Sequence, residues 1–186
     1  MGSWSSMEII SREFKIISIK KFYRVNFIQR IKINQILEYN YRRYYKIIPG
    51  YNYPIYNTDD RFFKKLYGKF LSNSKKIFKD FDLSHKNKDT CWCYRSFGEE
   101  YQSIYHNHVK SSVINGVYYY RVNKNDSINF IKDGREFEYF PSNEELLIFP
   151  NHLEHKPNKP NGNNYRYSIN MEIITEQPSY QIFSGI

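Results

Sequence analysis

Cysteine is scarce in this sequence. Its 186 residues include only two, Cys91 and Cys93, with a single residue between them. One close pair is a poor basis for the disulfide framework of a secreted domain. The sequence therefore predicts that the protein is located in a reducing cytoplasm. A C-x-C pair can also be half of a zinc site, but that use requires a second pair of ligands nearby.

Long apolar runs are absent as well. No uninterrupted stretch is long enough to cross a bilayer, so we expect no membrane partner. The first six residues lack the basic flank and apolar centre of a signal peptide. The chain is nevertheless 40% hydrophobic and 19% aromatic, which is enough to build a core, and its length suits one domain over residues 1–186.

Positive charge is concentrated in the first half of the chain. Residues 1–85 carry 17 Lys and Arg against 7 Asp and Glu, or +10, whereas residues 86–186 carry 11 against 12, or −1. Basic pairs interleaved with aromatic residues could bind nucleic acid through its phosphates and bases. A solvated helix surface around an aromatic core explains the same pattern, and we favour it, since no nucleic-acid-binding signature accompanies the charge.

The apolar pattern changes near residue 90. Residues 7–89 predict a support region, with strands in 8–19 and helices over about 20–45 and 59–81. Residues 90–175 show the two-residue period of strands with Pro, Gly and Asn between them, typical of a β-sandwich or jelly roll. The predicted class is therefore α+β, mainly β, with N-terminal helices packed on one sheet. The strands fall at 91–95, 101–109, 113–122, 128–131, 137–140, 146–149 and 165–174.

Histidine is rare too, yet four of the five histidines fall in two short segments. His106 and His108 form an H-x-H pair, and residues at i and i+2 of a strand share one face. Imidazole is the commonest protein ligand for iron, copper and zinc. A third ligand would come from His152 or His155. The alternative is that these are ordinary surface residues beside a Pro-rich loop.

Several motifs follow one another in an order that carries a resemblance. After H-x-H come Asn115-Gly116-Val117-Tyr118-Tyr119, Phe149-Pro150-Asn151-His152-Leu153-Glu154-His155 and Arg166-Tyr167-Ser168-Ile169-Asn170. Their order and spacing resemble the Fe(II)/2-oxoglutarate-dependent oxygenases. The closest pattern is that of a small phage and bacterial branch, H-x-H, S-G-V-Y-Y, F-P-S-x-L-x-H and R-x-S-x-x-N. Asn115 and Asn151 stand where that pattern has serine, and Asn170 comes one residue early.

The resemblance implies a double-stranded β-helix over residues 90–175 whose metal ligands are His106, His108 and His155. His155 would enter from a strand of the facing sheet, leaving open positions for 2-oxoglutarate and O2. The implied activity is a hydroxylase reaction at Fe(II) that converts 2-oxoglutarate to succinate and CO2. A phage or bacterial source is implied, with a cytoplasmic location, which for a virus is the host cytoplasm.

The same resemblance assigns the cosubstrate site. Arg166 would pair with the distal carboxylate of 2-oxoglutarate, because a guanidinium meets a carboxylate with two parallel hydrogen bonds. Ser168 lies two residues further on the same strand face and could add a third bond. Tyr119 or Tyr101 could also reach that carboxylate.

His108 departs from the broader superfamily, which has H-x-D or H-x-E. Three interpretations are open. His108 would be a third neutral ligand, or it would contact the ligands without binding the metal and leave two protein ligands with an extra open position. In the third, the site binds no iron. We favour the first, since the resembling branch has H-x-H. His152 is offset from His155 by an odd number of residues and would face away on a strand.

Two alternatives to this enzyme stay open. One is a cupin-like three-histidine metal dioxygenase that needs no 2-oxo acid. The other is a basic nucleic-acid-binding protein with a degenerate metal site. Adding 2-oxoglutarate to the anaerobic Fe(II) protein separates the first from the leading hypothesis, because only the 2-oxoglutarate-dependent enzyme should show a metal-to-ligand charge-transfer band. Salt-sensitive binding of DNA or RNA without iron uptake would favour the second.

Overall fold

The computed structural model describes residues 6–44, 53–54, 61–81, 83, 91–97, 104–161, 165–175 and 178–186. These residues form ten strands and three helices. In chain order they are β1 (Met7–Ser11), β2 (Ile16–Ile19), α1 (Phe27–Tyr44), β3 (Tyr53–Pro54), α2 (Arg61–Ile77), β4 (Cys91–Ser96), β5 (Ile114–Arg121), β6 (Ile128–Lys132), β7 (Arg135–Tyr139), β8 (Glu145–Pro150), β9 (Glu154–Pro157), β10 (Arg166–Ile173) and α3 (Ser179–Ile182).

The strands form two antiparallel sheets, so the mainly-β prediction is confirmed. The larger sheet has the order β1-β2-β8-β5-β10-β4-β3, and the smaller has the order β7-β6-β9. Strands β1 and β2 come from the N-terminal region but extend the larger sheet through pairing of β2 with β8.

The two central strands of the larger sheet alternate strictly between two environments. On β10, Tyr167, Ile169, Met171 and Ile173 belong to a core shared with α1 and α2, and Tyr118 and Tyr120 of β5 join them. Val117 and Tyr119 of β5 belong to a second core with Phe130 of β6. This two-residue alternation places one face of the sheet against helices and the other against the smaller sheet.

A reciprocal cap fixes the start of α1. The Asn26 side chain accepts a hydrogen bond from the Gln29 backbone N–H (2.9 Å), and the Gln29 side chain accepts one from the Asn26 N–H (3.1 Å). This is the arrangement of a capping box. Of the helices within the described residues, none is long and apolar enough to cross a bilayer.

In the sequence, Phe27, Ile31, Ile36 and Leu37 fall near the 3.6-residue period of a helix. The inner face of α1 differs from that period. Ile33 and Leu37 are buried, whereas Phe27 is 77% and Ile31 44% exposed. Apolar residues lie on several sides of this helix, so the period alone did not identify the buried side.

Helix α2 follows the apolar period of its sequence, with Phe63, Leu66 and Phe70 buried and its lysine pairs exposed. Its expected start at residues 59–60 lies outside the described residues.

Close packing of α2 on the sheet requires the glycine in β5. A Cβ atom at Gly116 would lie 2.5 Å from the Phe70 ring, and Phe70 is fully buried. We expect Gly116→Ala to lower the free energy of unfolding by about 1–3 kcal/mol through overpacking. Gly68 of α2 has open space around it, so Gly68→Ala should raise stability by up to about 1 kcal/mol. Urea unfolding measures both changes, and equal effects would contradict this packing.

A buried carboxylate joins the two sheets at one end. Glu145 of β8 is fully buried and accepts hydrogen bonds from Tyr139 of β7 (2.6 Å), Ser18 (2.6 Å) and Lys20 (2.6 Å). These bonds lower the pKa of Glu145 even though its burial acts in the opposite direction. The smaller sheet is thereby held over the larger one, with a cavity between them.

Candidate metal centre

Backbone hydrogen bonds join the two histidine segments. The His106 N–H donates to the His155 carbonyl (3.1 Å), the His155 N–H donates to the His106 carbonyl (2.9 Å), and the His108 N–H donates to the Asn151 carbonyl (2.8 Å). The strand predicted over 101–109 is wrong in its described part, residues 104–109. His106 makes a single isolated bridge, and the chain turns after His108 because the Ser111 N–H bonds back to its carbonyl.

His106, His108 and His155 come together as one group. A ring nitrogen from each lies within 4.8 Å of the others, so one ion can join them. The ring centroids of His106 and His155 are 4.4 Å apart, and His108 is 5.3 Å from the first and 5.2 Å from the second. His155 lies on β9 in the smaller sheet, facing the other two.

Each of the three rings directs the same nitrogen away from the centre. Nδ1 of His106 and Nδ1 of His155 each lie 3.1 Å from the carbonyl oxygen two residues earlier in the chain. Nδ1 of His108 lies 2.7 Å from a carboxylate oxygen of Glu172. Carbonyl and carboxylate oxygens only accept hydrogen bonds, so the ring proton is assigned to Nδ1. The Nε2 lone pairs are then available to a metal, and the donor set fits iron or another imidazole-binding ion.

Burial favours the neutral form of the His155 imidazole. Burial, with smaller contributions from neighbouring His106 and His108, lowers the pKa of His155 to about 3. Partial burial also lowers the pKa of His106. A metal ion binds only the unprotonated ring, so a depressed pKa favours ligation at and below neutral pH.

This burial predicts a pH dependence of stability in the metal-free protein. The pKa of His155 is about 3 when folded and 6.5 as the reference for the unfolded chain. The unfolded chain therefore binds more protons between these values, and stability falls as pH drops through this window. Between about pH 7.5 and about pH 5.5 we expect His155 to account for a loss of about 1.4 kcal/mol. Chelator-treated His155→Gln should lose that much less in urea unfolding, and an unchanged slope would contradict the assignment.

A cavity of about 270 Å³ extends from the histidines between the two sheets. Its far end is marked by Arg166, a cavity-lining residue that is only 2% exposed. Arg166 begins β10, whereas Glu172, which contacts His108, lies near the end of that strand. Six residues of extended chain separate them, or about 20 Å between Cα atoms. The arginine and the histidines thus occupy opposite ends of one cavity.

The predicted neighbours of Arg166 line the same end. Ser168 and Tyr119 are buried, line the cavity and are paired in register across β10 and β5. Tyr101 lies outside the described residues. An arginine with hydroxyl groups beside it is suited to a carboxylate, because every group can donate a hydrogen bond.

Sequence reasoning missed two polar residues that line the cavity. Glu172 contacts His108, and Asn115 lies opposite Glu172 in the register of β5 and β10. The Nδ2 atom of Asn115 is buried and makes no hydrogen bond among the described residues. The sequence did contain a signal for Glu172. Even-numbered residues of β10 share one strand face, so Glu172 was predictable on the same side as Arg166 and Ser168.

The two asparagines that depart from the oxygenase pattern form a brace. Asn151 donates a 2.6 Å hydrogen bond to the Ser112 carbonyl, and the Ser112 hydroxyl donates a 2.6 Å bond to Oδ1 of Asn115. The Ser112 N–H in turn bonds the His108 carbonyl. These bonds connect the turn after His108 to β5 and β8, so the departures from serine support the position of His108.

The remaining candidates lie outside the group. His152 is exposed and is not part of the histidine group among the described residues. Cys93 is buried in the core on the helix side of the sheet, and Cys91 packs against that core. The cysteines therefore lie across the sheet from the histidines, and the described residues provide no C-x-C zinc site with them.

No protein-family sequence model matches the chain, and no curated protein sequence matches it. Solved structures do. A prolyl 4-hydroxylase from Phytophthora capsici has a TM-score of 0.67 at 9% identity, covering 92% of this chain. A viral collagen prolyl hydroxylase from Paramecium Bursaria Chlorella virus-1 has 0.57 at 7%, covering 95% of this chain and 98% of its own.

A third similar structure is a prolyl hydroxylase from Trichoplax adhaerens in complex with a hypoxia inducible factor peptide fragment. Its TM-score is 0.57 at 13% identity, with 90% of this chain and 87% of that one covered. This chain spans 64% of the length of the Phytophthora protein. The protein therefore has the mainly-β fold of prolyl hydroxylases, together with a three-histidine group suited to a metal.

Proposed function

We propose that the protein is an Fe(II)- and 2-oxoglutarate-dependent dioxygenase of the hydroxylase type. The observation that carries the proposal is one cavity that has three imidazole nitrogens within 4.8 Å of one another and a buried guanidinium at its opposite end. The likeness to prolyl hydroxylases supports it at the level of the fold. In this proposal the two sheets are the halves of a double-stranded β-helix.

In the proposed reaction, 2-oxoglutarate and O2 yield succinate and CO2 while a C–H bond of the substrate becomes C–OH. One oxygen atom of O2 enters succinate and the other enters the substrate. Iron, when bound by His106, His108 and His155, would supply the redox chemistry of this conversion.

The chain's own residues orient the cosubstrate and exclude water. The Arg166 guanidinium would bind the distal carboxylate through two parallel hydrogen bonds, with Ser168 and Tyr119 as further donors. The histidines would fix the position of the 2-oxo acid end. Val117 and Phe149 line the walls between these ends and are buried apolar residues, so they keep that space dry.

The test is succinate formation by purified protein loaded with one equivalent of Fe(II). We expect succinate and CO2 in equal amounts, with turnover that requires both iron and 2-oxoglutarate. Proline-containing peptides are the first substrates to add, because the structural neighbours are prolyl hydroxylases. Iron-loaded protein that neither binds 2-oxoglutarate nor forms succinate would contradict the proposal.

A second candidate is favoured by one observation, the neutral character of all three ligands. A three-histidine dioxygenase without a 2-oxo acid would use the same imidazoles. It leaves the buried Arg166 at the end of the cavity without a role, so we place it second. Oxygen consumption that is independent of 2-oxoglutarate would favour it.

A further inference from the structure

Glu172 is a buried carboxylate with a histidine as its partner. It is 5% exposed, and its Oε1 atom accepts hydrogen bonds from His108 Nδ1 (2.7 Å) and Ser111 Oγ (3.1 Å). Among the described residues, His108 is the only basic side chain within ion-pair distance of it. A buried carboxylate beside a single imidazole is costly unless that imidazole carries positive charge or polarisation.

The position of Glu172 is fixed from both sides of the sheet. Its backbone carbonyl accepts a 2.8 Å hydrogen bond from the Tyr67 hydroxyl of α2, and its side chain faces the cavity. The carboxylate is therefore held in one place against His108. His108 lies just before a turn and outside any strand, and this hydrogen bond to its Nδ1 atom fixes which edge of the ring faces Glu172.

Building on the proposed function, we infer that Glu172 is the positioning residue for the third metal ligand. It holds the His108 proton on Nδ1 and turns Nε2 toward the ion. It also supplies, behind the imidazole, the negative charge that an H-x-D pattern places directly on the metal. With Fe(II), 2-oxoglutarate and Arg166 in the cavity, the Glu172 carboxylate brings the net charge to zero.

Carboxylates behind ligating histidines fix the ring tautomer and raise ligand basicity, and their loss costs roughly 10- to 100-fold in metal affinity. Replacing such a carboxylate with an amide can also reverse the tautomer, because the amide can donate to Nδ1. Glu172→Gln therefore keeps the shape of the side chain and removes both the charge and the assured acceptor.

The experiment measures Fe(II) and Co(II) dissociation constants by anaerobic chelator competition, without 2-oxoglutarate. We expect Glu172→Gln to weaken binding by about 10- to 100-fold. The matched control is Glu154→Gln, which removes the same charge from an exposed residue beside His155 and should leave affinity unchanged. Combined with His108→Ala, Glu172→Gln should cause no further loss, because it acts through that ring.

Two results would overturn the inference while leaving the proposed function standing. One is a Glu172→Gln protein that binds metal like wild type. The other is an undiminished effect of Glu172→Gln in the His108→Ala background, which would make Glu172 an independent ligand. Wild-type protein that binds no metal overturns both proposals.

A measurement on the unaltered protein keeps the test valid if Glu172→Gln does not fold. The 15N chemical shifts of the His108 ring in metal-free wild type report which nitrogen is protonated. We expect the proton on Nδ1. A proton on Nε2 would overturn the inference, because that tautomer cannot present Nε2 to an ion.

Discussion

Arg166→Ala is expected to raise the dissociation constant of 2-oxoglutarate for the iron-loaded protein by about 100- to 10,000-fold. Two charge-assisted hydrogen bonds are lost, each worth about 1.5–3 kcal/mol, and each 1.4 kcal/mol corresponds to about tenfold in affinity. Calorimetric titration of 2-oxoglutarate under anaerobic conditions measures this change.

Two controls accompany that variant. Iron binding should be retained in Arg166→Ala, because the arginine lies at the other end of the cavity from the histidines. Arg166→Lys keeps the charge but loses the planar fork, so its affinity should fall between wild type and Arg166→Ala. Binding of 2-oxoglutarate by Arg166→Ala within tenfold of wild type would remove Arg166 from the cosubstrate site.

His155→Ala is expected to weaken Fe(II) binding by more than about 100-fold. Removing only the hydrogen-bond partner of a metal ligand costs up to about 100-fold, and the loss of the ligand itself should cost more. Two imidazoles then remain, and both lie on one short segment, so the facing sheet no longer contributes to the site. Succinate formation should be lost with the iron. Anaerobic metal competition, followed by the succinate assay, measures both effects.

His152→Ala is the matched control for that loss. The residue is exposed, lies three positions away in the same segment and is outside the histidine group. Its replacement should leave iron affinity and turnover near wild-type values. Equal losses in the two variants would show that the segment matters only for folding.

Strong periodicity made much of the second half predictable. Strands β5 and β10 fall within their predicted ranges, and β8 extends one residue beyond its predicted range at each end. These strands were predictable because their residues alternate between two packed faces. Strand β9 is missing from the ranges that periodicity predicted, although the resemblance implied a strand at His155. Its sequence, Glu154-His155-Lys156-Pro157, is polar and has only four residues, which is too few to show the two-residue period of a strand.

The metal centre was only partly predictable. The motif order brought His106, His108 and His155 forward as candidates, and the structure places them together. The sequence led us to expect that His106 and His108 share one face of a strand, and this reason was wrong. Instead, His106 is held beside His155 by backbone pairing with the smaller sheet. The contact of His108 with Glu172 joins residues far apart in sequence, and no local pattern reports such a contact.

The central claim is that one cavity holds an iron ion at its histidine end and 2-oxoglutarate between that ion and Arg166. The most direct test is an anaerobic titration of Fe(II)-loaded protein with 2-oxoglutarate, followed by visible absorption. We predict a metal-to-ligand charge-transfer band that saturates at one 2-oxoglutarate per iron and is missing in Arg166→Ala at the same concentration. Fully iron-loaded wild type that develops no such band at saturating 2-oxoglutarate would contradict the claim.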